Sequence, residues 1–227
     1  MPTDQYVAVE GIDGSGKTEV VRRVVAALRN DGRTVHVFPY MGRSDSLIGR
    51  FLDRHLFAGG SSAVGRVLDC LPTLKLLLFQ MNAATNWRRL SRAESLRPSD
   101  IAIIVGDRSI VSASVIFPAA WRSWAMTRTL LRLTAAAPTP ARIIYLAIPA
   151  EVAHERIQAR SKPLANESVD ALRAATLAYE AALDMRRWWF GFEVSRVDAS
   201  RALDDVVTSA SAAARLAFQE EGRTVCA

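Results

Sequence analysis

Tyr6-Val7-Ala8-Val9-Glu10-Gly11-Ile12-Asp13-Gly14-Ser15-Gly16-Lys17-Thr18 is the stretch on which the fold turns. Its first five residues are a short β-prone run. Gly11 to Thr18 spell G-x-x-x-x-G-K-S/T, and Val20, Val21, Val24, Val25 and Leu28 then recur at helical spacing. Strand, glycine-rich turn and helix in that order make a phosphate-binding loop. Such a loop needs Gly11, Gly14 and Gly16 because its backbone turns tightly and aims successive N–H groups at an anion, which side chains there would obstruct. Asp13 and Ser15 complete the cradle, Lys17 can reach the β- and γ-phosphates of a nucleotide, and Thr18 can hold Mg²⁺. The chain therefore reads as a nucleotide-dependent phosphotransferase.

Outward from the loop, short apolar runs alternate with longer helical patterns. Strands are expected at 5–10, 34–38, 101–106, 142–148 and 192–197. Helices are expected at 17–30, 71–97, 121–137, 150–160, 169–190 and 202–218, with shorter ones near 46–56 and 109–117. This alternation predicts the α/β class, a parallel sheet covered by helices on both faces. Gly59 to Ser62 reads as a surface loop, and Ala135-Ala136-Ala137-Pro138-Thr139-Pro140 ends a helix before the fourth strand. No internal repeat or domain boundary shows. A single domain over 1–219 with a frayed tail at 220–227 is expected.

The composition fits that reading. Half of the 227 residues are hydrophobic, enough for a core without disulfides or metal staples. The excess of 29 Lys+Arg over 23 Asp+Glu is spread out, with no aromatic-basic pattern for nucleic acid, and suits polyanionic small molecules equally well. No apolar stretch approaches the about 18 residues of a membrane helix, and Met1-Pro2-Thr3-Asp4 opens no signal segment, so a cytoplasmic location is expected. Cys70 and Cys226 are too few for a disulfide framework or a zinc site. His36, His55 and His154 are scattered, as surface or packing residues are.

A second chemical cluster is Ile101-Ala102-Ile103-Ile104-Val105-Gly106-Asp107-Arg108-Ser109, an apolar strand ending in an acid and a base. Ligands of open α/β sheets sit outside the carboxyl ends of the strands, so Asp107 and Arg108 should face the crevice of the phosphate loop. There Asp107 can bind the hydrated metal and Arg108 can grip a phosphate oxygen.

Val9 to Thr18, Phe38-Pro39, Leu77-Leu78-Phe79 and Asp107-Arg108 together resemble the thymidylate kinases, in order and in spacing, across most of the chain. Ile144-Tyr145-Leu146 with Pro149 to Arg160 resembles that family's strand and helix leading into a lid, and Val197-Asp198-Ala199-Ser200 its closing loop near the adenine site. The resemblance implies a three-layer P-loop kinase fold with a five-stranded parallel sheet and a short lid at about 160–168. It implies ATP and Mg²⁺ as cofactors, a homodimer, and dTMP or a related monophosphate as acceptor. By the same resemblance Asp13 would contact the acceptor sugar, Phe79 would stack on the base, and Arg108 would hold the monophosphate. Phe38 would begin the loop carrying a second phosphate-binding arginine, for which Arg43 is the nearest candidate.

Three departures bear on specificity. Ala83 stands where the family usually has an arginine that reads the pyrimidine carbonyl. Ser109, in the acceptor-binding segment, stands where the family usually has a tyrosine against the sugar. The lid segment Ser161 to Glu167 is not arginine-rich, which leaves Arg160 and Lys162 as its cations, with Arg173 on the following helix. A positive group on the migrating phosphoryl is worth about 10³- to 10⁵-fold in rate.

Three readings remain open at this stage. The first is transfer to a nucleoside monophosphate, whose phosphate is already nucleophilic and needs no general base. The second is a deoxynucleoside kinase, suggested by Asp107-Arg108-Ser109, or a kinase of another phosphorylated metabolite. A nucleoside kinase wants a carboxylate base near the end of the second strand, and Phe38-Pro39-Tyr40-Met41-Gly42 has none. The third is a nucleotide-binding regulatory module, since a phosphate loop alone does not imply transfer. Trp87, Trp121, Trp124, Trp188 and Trp189 read as helix-packing or subunit-interface residues.

Overall fold

A computed structural model of the chain describes residues 6–40, 46–52, 54–55, 63–93, 102–116, 139–159 and 168–219. Five strands form one sheet: β1 (Tyr6–Glu10), β2 (Thr34–Pro39), β3 (Ala102–Asp107), β4 (Arg142–Ala147) and β5 (Glu193–Asp198). All pairings are parallel, in the order β2-β3-β1-β4-β5. Each strand lies within a residue of its sequence expectation. β1 is central, and all five of its residues are buried, which is why it reads as an unbroken run rather than an alternating one.

Eight helices fall among the described residues: α1 (Lys17–Asn30), α2 (Leu47–Leu52), α3 (Ala63–Asp69), α4 (Pro72–Ala93), α5 (Ile110–Ile116), α6 (Ala150–Gln158), α7 (Val169–Phe190) and α8 (Leu203–Gln219). α1 forms because Val20, Val21, Val24, Val25 and Leu28 make one apolar stripe, and all five are buried. α3 was not expected from the sequence. The helix expected at 121–137, with Trp121 and Trp124, lies outside the described residues, as do Gly59 to Ser62, the lid segment and the tail at 220–227.

Side-chain parity assigns the faces. Tyr6, on β1, packs its ring against Phe38 of β2 and Trp87 of α4, with centroids 5.6 and 5.7 Å away. Glu10, four residues on and so on the same face, meets α5 and α7. α1 and α8 pack together over the opposite face. The result is the three-layer arrangement.

One glycine explains an oddity of the sequence. Gly106 interrupts an apolar strand because a Cβ there would lie 2.6 Å from the Tyr6 ring. That ring crosses the neighbouring strand so that its hydroxyl can donate to the Arg108 carbonyl at 3.3 Å.

Candidate active site

The register brings the chemical residues to one edge. Val9 and Pro39 both pair with Asp107, so β1, β2 and β3 end together, and the phosphate loop leaves β1 at that edge. The chain proceeds from β1 to β2 on one side and later returns to β4 on the other, which places a crevice beside β1. Asp13, Gly14, Gly16, Lys17, Thr18, Glu19, Asp107 and Arg108 line a cleft of about 250 Å³ there.

Inside it, Lys17 is buried and folded back into its own loop. Its ammonium donates to the carbonyls of Gly11 and Ile12, both at 2.8 Å, and lies 3.5 Å from Asp13 Oδ1. Burial first, and then the Arg108 charge, pull Lys17 down to about 8, although Asp13 and Glu10 draw it back up. Arg108 donates from Nη2 to Asp13 Oδ1 at 2.8 Å. Burial pushes the Asp13 carboxyl upward, but the charges of Lys17 and Arg108 outweigh it and hold Asp13 below the ordinary carboxylate value. Arg108 itself has φ +73°, a left-handed conformation that side chains disfavour. Backbone bonds hold it there. Its N–H donates to the Val9 carbonyl at 3.2 Å and its carbonyl accepts from Tyr6.

The loop conformation depends on the absence of a side chain at Gly14. Its φ is +85°, and a Cβ would fall 2.5 Å from the Ala153 carbonyl oxygen on α6. A Gly14→Ala protein is therefore expected to lose several degrees in thermal midpoint, and its nucleotide affinity should drop at least about tenfold as the loop backs away from α6. Calorimetry of the variant with and without nucleotide checks both.

The donor set fits an anion and a hard cation. Among the described residues Lys17 has only its loop's carbonyls and Asp13 as partners, and Ser15 Oγ is buried with no hydrogen-bond partner. Thr18 and Asp107 supply oxygen ligands of the type Mg²⁺ takes. A second cleft of about 310 Å³ adjoins the loop, lined by Ser15, Gly16 and Glu19, by Arg156 of α6 and by Ala199, Arg201 and Leu203 after β5.

Not every expected residue reaches the cleft. Phe38 is 1% exposed and sits edge-on to Tyr6, Tyr40 and Trp87 in the core, while residues 41–45 of the loop it was expected to begin lie outside the described residues. Ser109 turns inward as well, fully buried, with its hydroxyl donating to Glu10 Oε1 at 2.6 Å. The left-handed turn at Arg108 is what sends the next residue into the core. Trp87 belongs to the same aromatic cluster and not to the cleft. Phe79 is buried on the inward stripe of α4. Arg173 is committed to Glu151, at 2.6 Å on the exposed surface. Arg43, Arg160 and Lys162 lie outside the described residues.

The structure adds residues that the motif left unassigned. Glu10 closes β1 fully buried and accepts from Ser109, from the hydroxyl and backbone N–H of Ser112, and from the Tyr179 hydroxyl of α7. Burial raises its carboxyl above the ordinary value, while the bonds from Ser109 and Ser112 and the Arg108 charge pull it back. This network lies behind Arg108 and ties the loop strand to α5 and α7. The available signal was a charge ending an otherwise apolar strand.

Among known proteins, the family model described as thymidylate kinase matches residues 9–210. The chain belongs to the thymidylate kinase family. It is also similar to a probable thymidylate kinase of Pyrobaculum calidifontis, 29% identical over 174 residues that cover 77% of this chain and 80% of that protein. As a family member it is a nucleoside monophosphate kinase, a nucleotide-binding transferase. No helix among the described residues is long and apolar enough to cross a membrane.

Proposed function

We propose that this thymidylate kinase family member transfers the γ-phosphoryl group of ATP to dTMP or a related nucleoside monophosphate, giving the diphosphate. The supporting observation is the convergence of Lys17, Thr18, Asp13, Asp107 and Arg108 on one cleft at the carboxyl edge of the sheet. In this reading the backbone N–H groups of Gly11 to Lys17 and the Lys17 ammonium hold the donor phosphates. The second cleft takes the donor's base and sugar. Thr18 and Asp107 would hold Mg²⁺, which when bound supplies charge neutralisation across the phosphates. Arg108 grips the acceptor phosphate and screens it from the donor, so that two anions can approach. Asp13 orients Arg108 and contacts the acceptor sugar, and Phe79 stacks on the acceptor base. Arg43, Arg160 and Lys162 are the further cations proposed, the last two in a lid at about 160–168. The Gly14 contact with α6 leaves no room for a cation on the loop itself, which favours a lid donor.

A monophosphate acceptor suits this electrostatics better than a free hydroxyl. A hydroxyl needs a base with a pKa near the working pH, and Asp13 is held below the carboxylate range by its two cations. An ADP-release assay with MgATP, nucleoside monophosphates, the matching nucleosides and a no-acceptor control tests this. Turnover with monophosphates alone is expected; turnover with nucleosides alone overturns the reading. A single domain over 1–219 working as a cytoplasmic homodimer completes the proposal. Leu47 and Phe51 of α2, Val67 of α3, Leu71 just before α4 and Leu74 in its first turn are exposed apolar residues suited to a subunit contact.

The pH profile carries a prediction. The anionic donor binds the protonated Lys17, which in the free enzyme titrates at about 8. Above that pH a proton must be taken up on binding, so kcat/KM for ATP should fall about tenfold per pH unit, where each unit is about 1.4 kcal/mol. A profile flat through pH 9.5 would place Lys17 outside donor binding.

A further inference from the structure

Among the described residues a few buried polar atoms have no hydrogen-bond partner, and the Gln80 side-chain nitrogen on α4 is one of them. Leu76, Phe79, Gln80, Ala83, Ala84 and Trp87 repeat at i, i+3, i+4, i+7, i+8 and i+11 along α4, and all are buried. Gln80 alone among them is polar, at 2% exposure. Its carboxamide oxygen accepts from the Tyr40 hydroxyl at 2.5 Å, which fixes the side chain. Its Nε2 then points away from Tyr40 and has no acceptor among the described residues. An unmet buried donor costs about 1–3 kcal/mol, so a residue of this kind calls for an acceptor from outside the chain.

The position says which acceptor. Tyr40 follows β2, and its backbone N–H donates to the Asp107 carbonyl at 3.3 Å, so the Tyr40–Gln80 pair sits by the carboxyl ends of β2 and β3, the edge at which the phosphate loop also leaves its strand. Gln80 is also the next residue after Phe79. A ligand that meets a donor this buried is itself enclosed against α4, and a flat base with a polar edge is such a ligand. Ala83, one turn further along the same stripe, offers that edge only a methyl group.

We propose that Gln80 determines specificity for the acceptor base, its N–H donating to a ring carbonyl. On this assignment, which rests on the monophosphate-kinase reading above, the enzyme prefers the 4-oxo pyrimidines thymine and uracil to the 4-amino pyrimidine cytosine, whose amino group would face donor to donor. Tyr40 is the positioning residue that turns the amide.

The experiment is kcat/KM for dTMP, dUMP and dCMP in the full-length protein and in Gln80→Met and Gln80→Glu, with thermal midpoints as the folding control. Wild type should favour dTMP over dCMP by about 10²-fold, the size of one unmet donor. Gln80→Met has similar length and no donor, and should bring the ratio to within a few fold. Gln80→Glu still accepts from Tyr40 but offers an acceptor to the base, and should shift preference towards dCMP. A purely structural role would scale the three substrates equally. A wild type that takes dCMP as well as dTMP, or folded variants that keep the wild-type ratio, overturns the assignment while monophosphate transfer stands. Absence of turnover with every monophosphate overturns the transfer reading and this one with it.

Discussion

Replacing Lys17 by methionine is expected to lower turnover at least about 10³-fold while leaving a folded protein. Lys17 is the loop's buried cation, and a preorganised charge on the migrating phosphoryl, in a site shielded from water, is worth about that much. Stability responds in two opposing ways. Lys17 titrates lower in the folded protein, at about 8, than the ordinary 10.5. Between those values the unfolded chain binds more protons, so this group's contribution to stability rises with pH through that window, and below pH 8 its burial is fully unfavourable. Methionine removes that cost. It also removes the donor to the Gly11 and Ile12 carbonyls, which are then left without the ammonium. The two changes offset, and a thermal midpoint within a few degrees of wild type is expected. Coupled assay and calorimetry on the same preparation separate the effects. A folded Lys17→Met protein within tenfold of wild-type kcat would remove the loop lysine from the chemistry.

The parts legible in the sequence are those with a local code. The phosphate loop is one, because its glycine spacing is itself the geometric requirement. The strands are another, since parallel strands buried on both faces are short apolar runs bounded by turn residues, and β1 to β5 are read to within a residue. α3 escaped because Ala63-Val64-Gly65-Arg66-Val67-Leu68-Asp69 carries a glycine and no long periodic stripe, with Val64 and Val67 exposed; its packing on α4 makes it a helix. Side-chain direction was the harder matter. Phe38 and Ser109 sit beside chemical motifs, yet the pleat turns one inward and the left-handed turn at Arg108 buries the other. Nothing in Asp107-Arg108-Ser109 announces that an arginine adopts φ +73°, since the conformation is imposed by the Val9 carbonyl and the Tyr6 hydroxyl, 99 and 102 residues away. The unmet donor of Gln80 is legible only in three dimensions, because a glutamine in a helix reads as a solvated face until its neighbours are known.

That turn makes Arg108→Gly a sharp test of the acceptor site, with an expected loss of about 10³-fold in kcat/KM for the monophosphate and little change in stability. A left-handed residue with a side chain costs about 1–2 kcal/mol, and glycine relieves that strain. Glycine's larger unfolded-state entropy returns roughly 0.5–1 kcal/mol of the gain. The lost ion pair with Asp13 is partly exposed, and pairs of that kind are worth about 0–1 kcal/mol. The backbone bonds to Val9 and Tyr6 survive, since neither uses the guanidinium. Arg108→Lys keeps the charge and the strain but loses the fork that can hold two phosphate oxygens at once, so its activity should fall between wild type and the glycine protein. If Arg108 only braced Asp13, the lysine protein would recover nearly full activity and the glycine protein would lose stability in step with rate. If it holds the acceptor phosphate, KM for the monophosphate rises in both variants, kcat falls most in the glycine protein, and the donor KM stays near its wild-type value.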